Sequence, residues 1–219
     1  MTTYDVTDRN RVRRVPKRGA YDQETVHSII DNALIGHVAF VIEDQPYVIP
    51  TLVARNDDAL LLHGAVSSRL MRHAASGEPL SIAVTHVDGL VLARSVFHHS
   101  VNYRSVVIFG SGQPVADPAA KVAALEQFTE KLLPGRWQDA RVPNDTELKA
   151  TAVVSVPIDT ASAKVRSGPP SDDEDDYALP IWAGVLPLET RFAAPQADAR
   201  LDPSISLPDY LATLVNRDP

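Results

Sequence analysis

The sequence predicts a mainly β protein, an antiparallel sheet with flanking helices that closes into a small barrel. Three observations carry that expectation. Short runs rich in Val, Ile and Leu follow one another across residues 37–109, most of them joined by turns rather than by helical crossovers. Helical spacing appears only in a stretch near the start, a short segment after Val66, a long one after Asp117 and a short one near the C-terminal end. Six or more such strands would leave unpaired edges in an open sheet, and closure removes them.

The elements follow in order. Asp22 is placed to cap a helix over Gln23–Ala33, with Val26, Ile29, Ile30 and Leu34 on one face and Gly36 as its stop. His37–Ile42 and Tyr47–Ala54 read as a hairpin about Glu43-Asp44-Gln45-Pro46, and Arg55-Asn56-Asp57-Asp58 turns into a third strand, Ala59–His63. A short helix follows Ser67 or Ser68 as N-cap and stops at Gly77. Pro79–Val87 and Leu90–Phe97 flank Asp88-Gly89, a strong hairpin dipeptide, and Tyr103–Phe109 is the next strand. Asp117-Pro118 opens the longest helix, whose expected buried face is Val122, Leu125, Phe128, Leu132 and Leu133. Thr151–Ile158 and Ala161–Arg166 are late strands, and a short helix is expected near Pro208–Val215.

Composition narrows the function classes. The 219 residues are 44% hydrophobic and 22% charged, an ordinary globular balance, and suit a single domain over 1–219 with a basic arm (1–18) and a C-terminal extension (188–219). No apolar run approaches the roughly 20 residues that span a bilayer, and no secretory signal is expected. The absence of cysteine excludes disulfides, iron–sulfur clusters and thiolate zinc sites, and fits a reducing cytosol, so a cytoplasmic location is expected. A formal charge of −7 argues against nonspecific nucleic-acid binding. That charge is uneven: residues 9–18 hold six cations and no anion, whereas 172–176 reads Asp-Asp-Glu-Asp-Asp. These are expected to be a surface arm and a surface loop.

Searches for Gly-x-Gly-x-x-Gly, a phosphate loop, His-Glu-x-x-His and Gly-x-Ser-x-Gly are negative. Positional signals remain. Leu62-His63-Gly64-Ala65-Val66-Ser67-Ser68-Arg69 ends a strand and opens a helix with two hydroxyls and an arginine, groups that suit a phosphate; an ordinary capped helix is the competing reading. All seven histidines precede residue 100, and His98-His99 point to opposite faces of a strand, so no metal site is expected. His63 stands out because it borders the phosphate candidate. The polar start of the strand at His99–Ser105, and Trp182-Ala183-Gly184 between two prolines, are either ligand edges or plain packing.

Taken in order and spacing, Tyr47–Thr51, Leu62-His63-Gly64 with Ser68-Arg69, Asp88–Ser95, His98–Val106, Leu133–Trp137 and Trp182–Pro187 resemble the flavin-nucleotide-binding branch of the pyridoxamine 5′-phosphate oxidase-like superfamily, the branch similar to nitroimidazole-resistance reductases. The resemblance covers roughly Arg14–Pro187. It implies a split-barrel homodimer with FMN at the subunit interface, acting as an oxidoreductase on a small flat acceptor such as a nitroaromatic or quinone. It implies that Ser68 and Arg69 hold the FMN phosphate. It lays Ile49, Pro50, Thr51 and Leu52 along the isoalloxazine, with Gly64, Asn102, Arg104 and Ser105 as further contacts. Trp182 would come from the partner subunit, and His63 would be the catalytic residue beside the flavin. Leu70 stands where the superfamily often has a lysine, leaving Arg72 or another cation to substitute. After Trp182 the chain reads Leu188-Glu189-Thr190-Arg191-Phe192, without the Arg-x-His-x-Arg element of the true oxidase, so pyridoxamine-phosphate oxidation is not implied. The alternatives are a non-catalytic flavin-binding or sensing module, and a split barrel that binds haem, with His63, His98 or His99 on the iron, or a deazaflavin.

Overall fold

Two antiparallel sheets share one core in the computed structural model, which describes residues 2–215. In chain order the elements are β1 (Gly19–Ala20), α1 (Gln23–Asp31), β2 (Ile35–Ile42), β3 (Gln45–Leu52), β4 (Ala54–Asn56), β5 (Ala59–Ala65), α2 (Arg69–Ala75), β6 (Pro79–Leu92), β7 (Ser100–Ser111), β8 (Gln113–Pro114), α3 (Pro118–Leu132), α4 (Arg136–Asp139), α5 (Asp145–Ala150), β9 (Thr151–Pro157), β10 (Thr160–Arg166), β11 (Gly184–Pro187) and α6 (Asp209–Leu214). The larger sheet runs β1-β10-β7-β6-β2-β3, with β11 added on the distal part of β6; the smaller runs β4-β5-β9-β8. No strand pairing among the described residues joins the two sheets into a ring. The barrel is split. Among the described residues, no helix is long and apolar enough to cross a membrane.

The chain passes from one sheet to the other at Val53. Val53 and Ala54 are both buried, which breaks the alternation a single strand requires, and the Val53 N–H donates to the Leu34 carbonyl. The expected three-strand meander is therefore four strands in two sheets. Its first turn is tighter than expected. Ile42 pairs with Gln45, and Glu43 and Asp44 both take positive φ, +49° and +62°, the two-residue geometry that matches strand twist.

Asp88-Gly89 is not a hairpin turn. β6 runs straight through it, and the register against β7 slips between Val87 and Gly89, so Asp88 is a bulge residue. Two contacts explain the change. The Asp88 carboxylate accepts from Arg104 on β7. A Cβ on Gly89 would lie 2.9 Å from the Leu186 carbonyl oxygen of β11. The strand reversal comes later, through the 3-10 turn Val96–His98.

Helix ends follow side-chain chemistry. Asp22 accepts from Thr25 N–H and Asp117 from Ala120 N–H, each donor being one that a helix start leaves unpaired. α1 stops at Asp31 instead of Ala33, because Asn32 turns its amide back to the Ser28 carbonyl. Gly36 lies inside β2, where a Cβ would press on Val53 at 2.7 Å; Leu34 has left the helix and is 38% exposed. Of the face expected on α3, Phe128 is buried, together with Ala124.

The basic arm lies against the barrel. Tyr4 is buried and its hydroxyl meets His27 Nε2 at 3.0 Å, while the buried Asn10 amide donates to the carbonyls of Asp5 and Ala161. Arg9, Arg11, Arg13, Arg14 and Lys17 remain exposed. The acidic run is only partly a surface loop, since Asp172 is buried against Arg94.

Gly112 sits where β7 hands over to β8, and a Cβ there would run into the Ala74 carbonyl and the Val154 methyls. Backbone cannot yield as a flexible side chain does. Gly112→Ala is expected to destabilise by about 1–3 kcal/mol, read as a lower urea midpoint with unchanged slope. Lys131 supplies a pH test. Its Nζ donates to the carbonyls of Ile30 and Val53, and burial pulls its pKa from 10.5 down to about 8. The folded state releases this proton before the unfolded chain does, so stability rises as pH climbs from about 8 to 10.5. Urea midpoints measured across that window should show the rise in the wild type and a flatter course in Lys131→Met.

Candidate functional site: two clefts and an edge strand

The residues expected to form one cofactor site fall into separate regions of the subunit. The first is the start of α2. Ser68 holds the N-cap position, but its hydroxyl makes no cap bond. The Arg69 guanidinium lies 4.4 Å from the Tyr47 ring centroid and has no carboxylate partner among the described residues. Tyr47 also stacks on Phe40, ring centroids 5.5 Å apart. Tyr47 and Ile49 pack on the core while Pro50 is exposed. β3 is the edge of its sheet, so one row of its backbone groups is open to a ligand. Gly64 serves packing, since a Cβ would approach Met71 of α2 at 3.1 Å.

His63 faces elsewhere. β5 alternates Leu60 and Leu62 toward the barrel core with Leu61 and His63 toward α3. The His63 ring packs on Phe128, centroids 4.2 Å apart. It opens into a cleft of about 360 Å³ lined by Leu52, Leu125, Leu132, Leu133 and Trp137 among others; Ser68 and Arg69 are not in its wall. Sequence adjacency placed His63 beside the phosphate candidate, and strand alternation turns it away. Burial pushes its imidazole below the ordinary pKa, and Nδ1 is buried without a partner. An unmet nitrogen in such a place is costly.

A larger cleft of about 580 Å³ lies at the end of α1, between β6, β7 and Leu188–Thr190. Arg104 lines it, gripped by Asp88 through Nε at 3.0 Å and Nη2 at 2.8 Å. That contact holds the guanidinium firmly protonated. His86 lies beside it with Nε2 on the Ile29 carbonyl at 2.9 Å. Asn102 is buried and occupied, its oxygen taking Arg166 and its amide reaching the Gly168 carbonyl. The Ser105 hydroxyl donates to the Lys164 carbonyl. Trp182 is 68% exposed, its ring laid against Gly184, where a Cβ would meet it at 2.9 Å.

One convergence escaped sequence reading. His98 at the β6–β7 reversal meets Asp173 and Asp176 from the acidic run, one ligand atom from each lying within 4.8 Å of the others. Some 75 residues separate the partners, and only the tertiary fold joins them.

Sheet order and the free edge strand define the class as a split β-barrel. The chain belongs to the pyridoxamine 5′-phosphate oxidase family, which it matches over residues 22–165. Among curated proteins none matches it. Among solved structures it is similar to the flavocytochrome Anf3 from Azotobacter vinelandii, with 38% identity over 95% of this chain and 97% of that one and a TM-score of 0.90. It is also similar to a FAD- and haem-binding protein from Mycobacterium smegmatis, with 32% identity, 90% and 97% coverage and a TM-score of 0.87. A candidate 5-nitroimidazole antibiotic resistance protein from Bacteroides thetaiotaomicron shares the fold at 22% identity, 67% and 86% coverage and a TM-score of 0.57.

Phe128→Ala tests what holds the imidazole neutral. The truncation should destabilise by about 3–5 kcal/mol and, by admitting water, move the His63 titration up toward its ordinary value. Titration by NMR checks this; an unmoved value would mean that Phe128 is not what buries the ring.

Proposed function

We propose that the protein is a flavin- and haem-binding redox protein, with His63 holding the haem iron and the β3–α2 region holding the flavin. One observation carries the reading: a buried imidazole with an unpartnered nitrogen faces an apolar cleft, in a chain similar nearly end to end to a flavocytochrome. Apolar walls with a single histidine are the donor set that a haem needs, and about 360 Å³ lies in the range of ligand pockets. When bound, a haem supplies one-electron chemistry and a flavin supplies one-electron or hydride chemistry. This reading gives His63 a holding role in place of proton donation beside the flavin.

The chain's own groups divide the remaining work. Ser68 Oγ and the Arg69 guanidinium supply a hydroxyl and a charge-assisted fork for a phosphate. Tyr47 keeps Arg69 in place through its ring face. The open edge of β3 offers backbone donors and acceptors to a flat ring system. Both FMN and FAD carry the phosphate these groups would bind; the FAD- and haem-binding relative favours the dinucleotide over the FMN expected from sequence.

The scattered cofactor residues and the exposed apolar surface support a homodimer. Val41, Val48 and Val87 are exposed on the larger sheet, and Trp182 and Phe97 project from the subunit. A second copy would cover these groups and bring Trp182 toward its partner's β3 edge.

The test is the absorbance spectrum of protein purified with flavin and reconstituted with haemin. The wild type is expected to show flavin bands and a Soret band, and His63→Ala to lose the Soret band while keeping the flavin. A Soret band that survives in His63→Ala would overturn the assignment. Arg69→Ala should weaken flavin binding by about 1.5–3 kcal/mol, roughly ten- to hundred-fold. Chromatography of the released flavin separates FMN from FAD, and light scattering reads the oligomeric state.

A further inference from the structure

The acidic run has charge to spare. Asp172 is neutralised by Arg94, accepting from its Nη1 at 3.0 Å and from the backbone N–H of Arg94 at 2.9 Å. Asp173, Glu174, Asp175 and Asp176 have no Arg or Lys ion pair among the described residues. Of these four neighbouring carboxylates only Asp173 meets a basic side chain, His98, and like charges so close repel one another.

What separates this segment from an ordinary acidic loop is a nitrogen ligand from a distant element. His98 closes the 3-10 turn Val96–His98 at the β6–β7 reversal. Asp173 holds the N-cap position of the 3-10 turn Glu174–Ala178, with its side chain free of any cap bond. Three residues per turn set Asp173 and Asp176 on one side of that turn, the side His98 faces. His98 Nε2 and Asp173 Oδ2 lie 3.2 Å apart. Two donors bound tetrahedrally at about 2.0 Å from one zinc ion stand about 3.3 Å apart, so this pair already has the spacing. The third donor lies within the 4.8 Å envelope and needs a small side-chain movement. The Asp172–Arg94 anchor fixes the acidic run against the hairpin and thereby positions the three ligands.

We propose that His98, Asp173 and Asp176 bind one divalent metal ion of the zinc class, with water completing the coordination. One imidazole and two carboxylates suit zinc or a neighbouring first-row ion. The ion would clamp the β6–β7 hairpin to the segment leading into β11. The proposal stands apart from the flavin and haem reading, because none of its three residues lines either cleft.

The test is calorimetric titration of the chelator-treated full-length protein with zinc sulfate, with calcium chloride as a comparison. Saturable zinc binding is expected, weakened at least ~10-fold in His98→Ala and in Asp176→Asn, since even losing an outer-sphere partner of a metal site has that effect. Zinc should also raise the wild-type melting temperature, as any ligand of the folded state does, and leave both variants unmoved. Asp176→Asn keeps side-chain volume, so it serves if His98→Ala fails to fold. Absence of saturable zinc binding, equal zinc affinity in a folded variant, or calcium bound as tightly as zinc would each overturn the proposal.

Discussion

β5 is buried on both faces, and the rest of the structure is arranged around that constraint. Leu60 and Leu62 enter the core shared by the two sheets; Leu61 and His63 point out of it toward α3. Each fully buried leucine contributes about 1.5–3 kcal/mol, and a strand that gains on both faces needs a cover on each. The larger sheet supplies one and α3 the other, which is why the long helix lies outside the barrel. Lys131 then ties α3 to the end of α1 and to Val53, where the chain changes sheets.

The same constraint separates the two candidate sites. A ligand at Ser68 and Arg69 would lie beyond the end of β5, against Tyr47 and the free edge of β3. A ligand at His63 would lie on the α3 side. One strand therefore leads to the start of α2 at its end and to the His63 cleft on its α3 side. The larger cleft, a third region, differs from the His63 cleft in character: His63's is mostly apolar, while around Arg104 Asp88, Glu189 and two histidines converge.

Much of the fold was legible because local rules decided it. Asp22 and Asp117 cap as their side chains require, Gly77 takes φ +80° after α2, and β-branched runs became strands. Asp88-Gly89 was misread because the dipeptide fits a turn and a bulge equally well. The decision came from Arg104 across the sheet and from β11, nearly a hundred residues on. Near the candidate site, the short helix that opens after Ser68 was readable, as was the family resemblance. The direction of His63 was not, because it depends on which face of β5 meets the core.

By itself the sequence determined the β-rich class, the helix caps, the family and the residue types available for cofactor chemistry, all properties of short segments. Only the tertiary structure decided the sheet change at Val53, the cleft that His63 enters and the meeting of His98 with Asp173 and Asp176. Those depend on contacts between segments far apart in the chain, and local propensity carries no information about which distant partner a side chain will find.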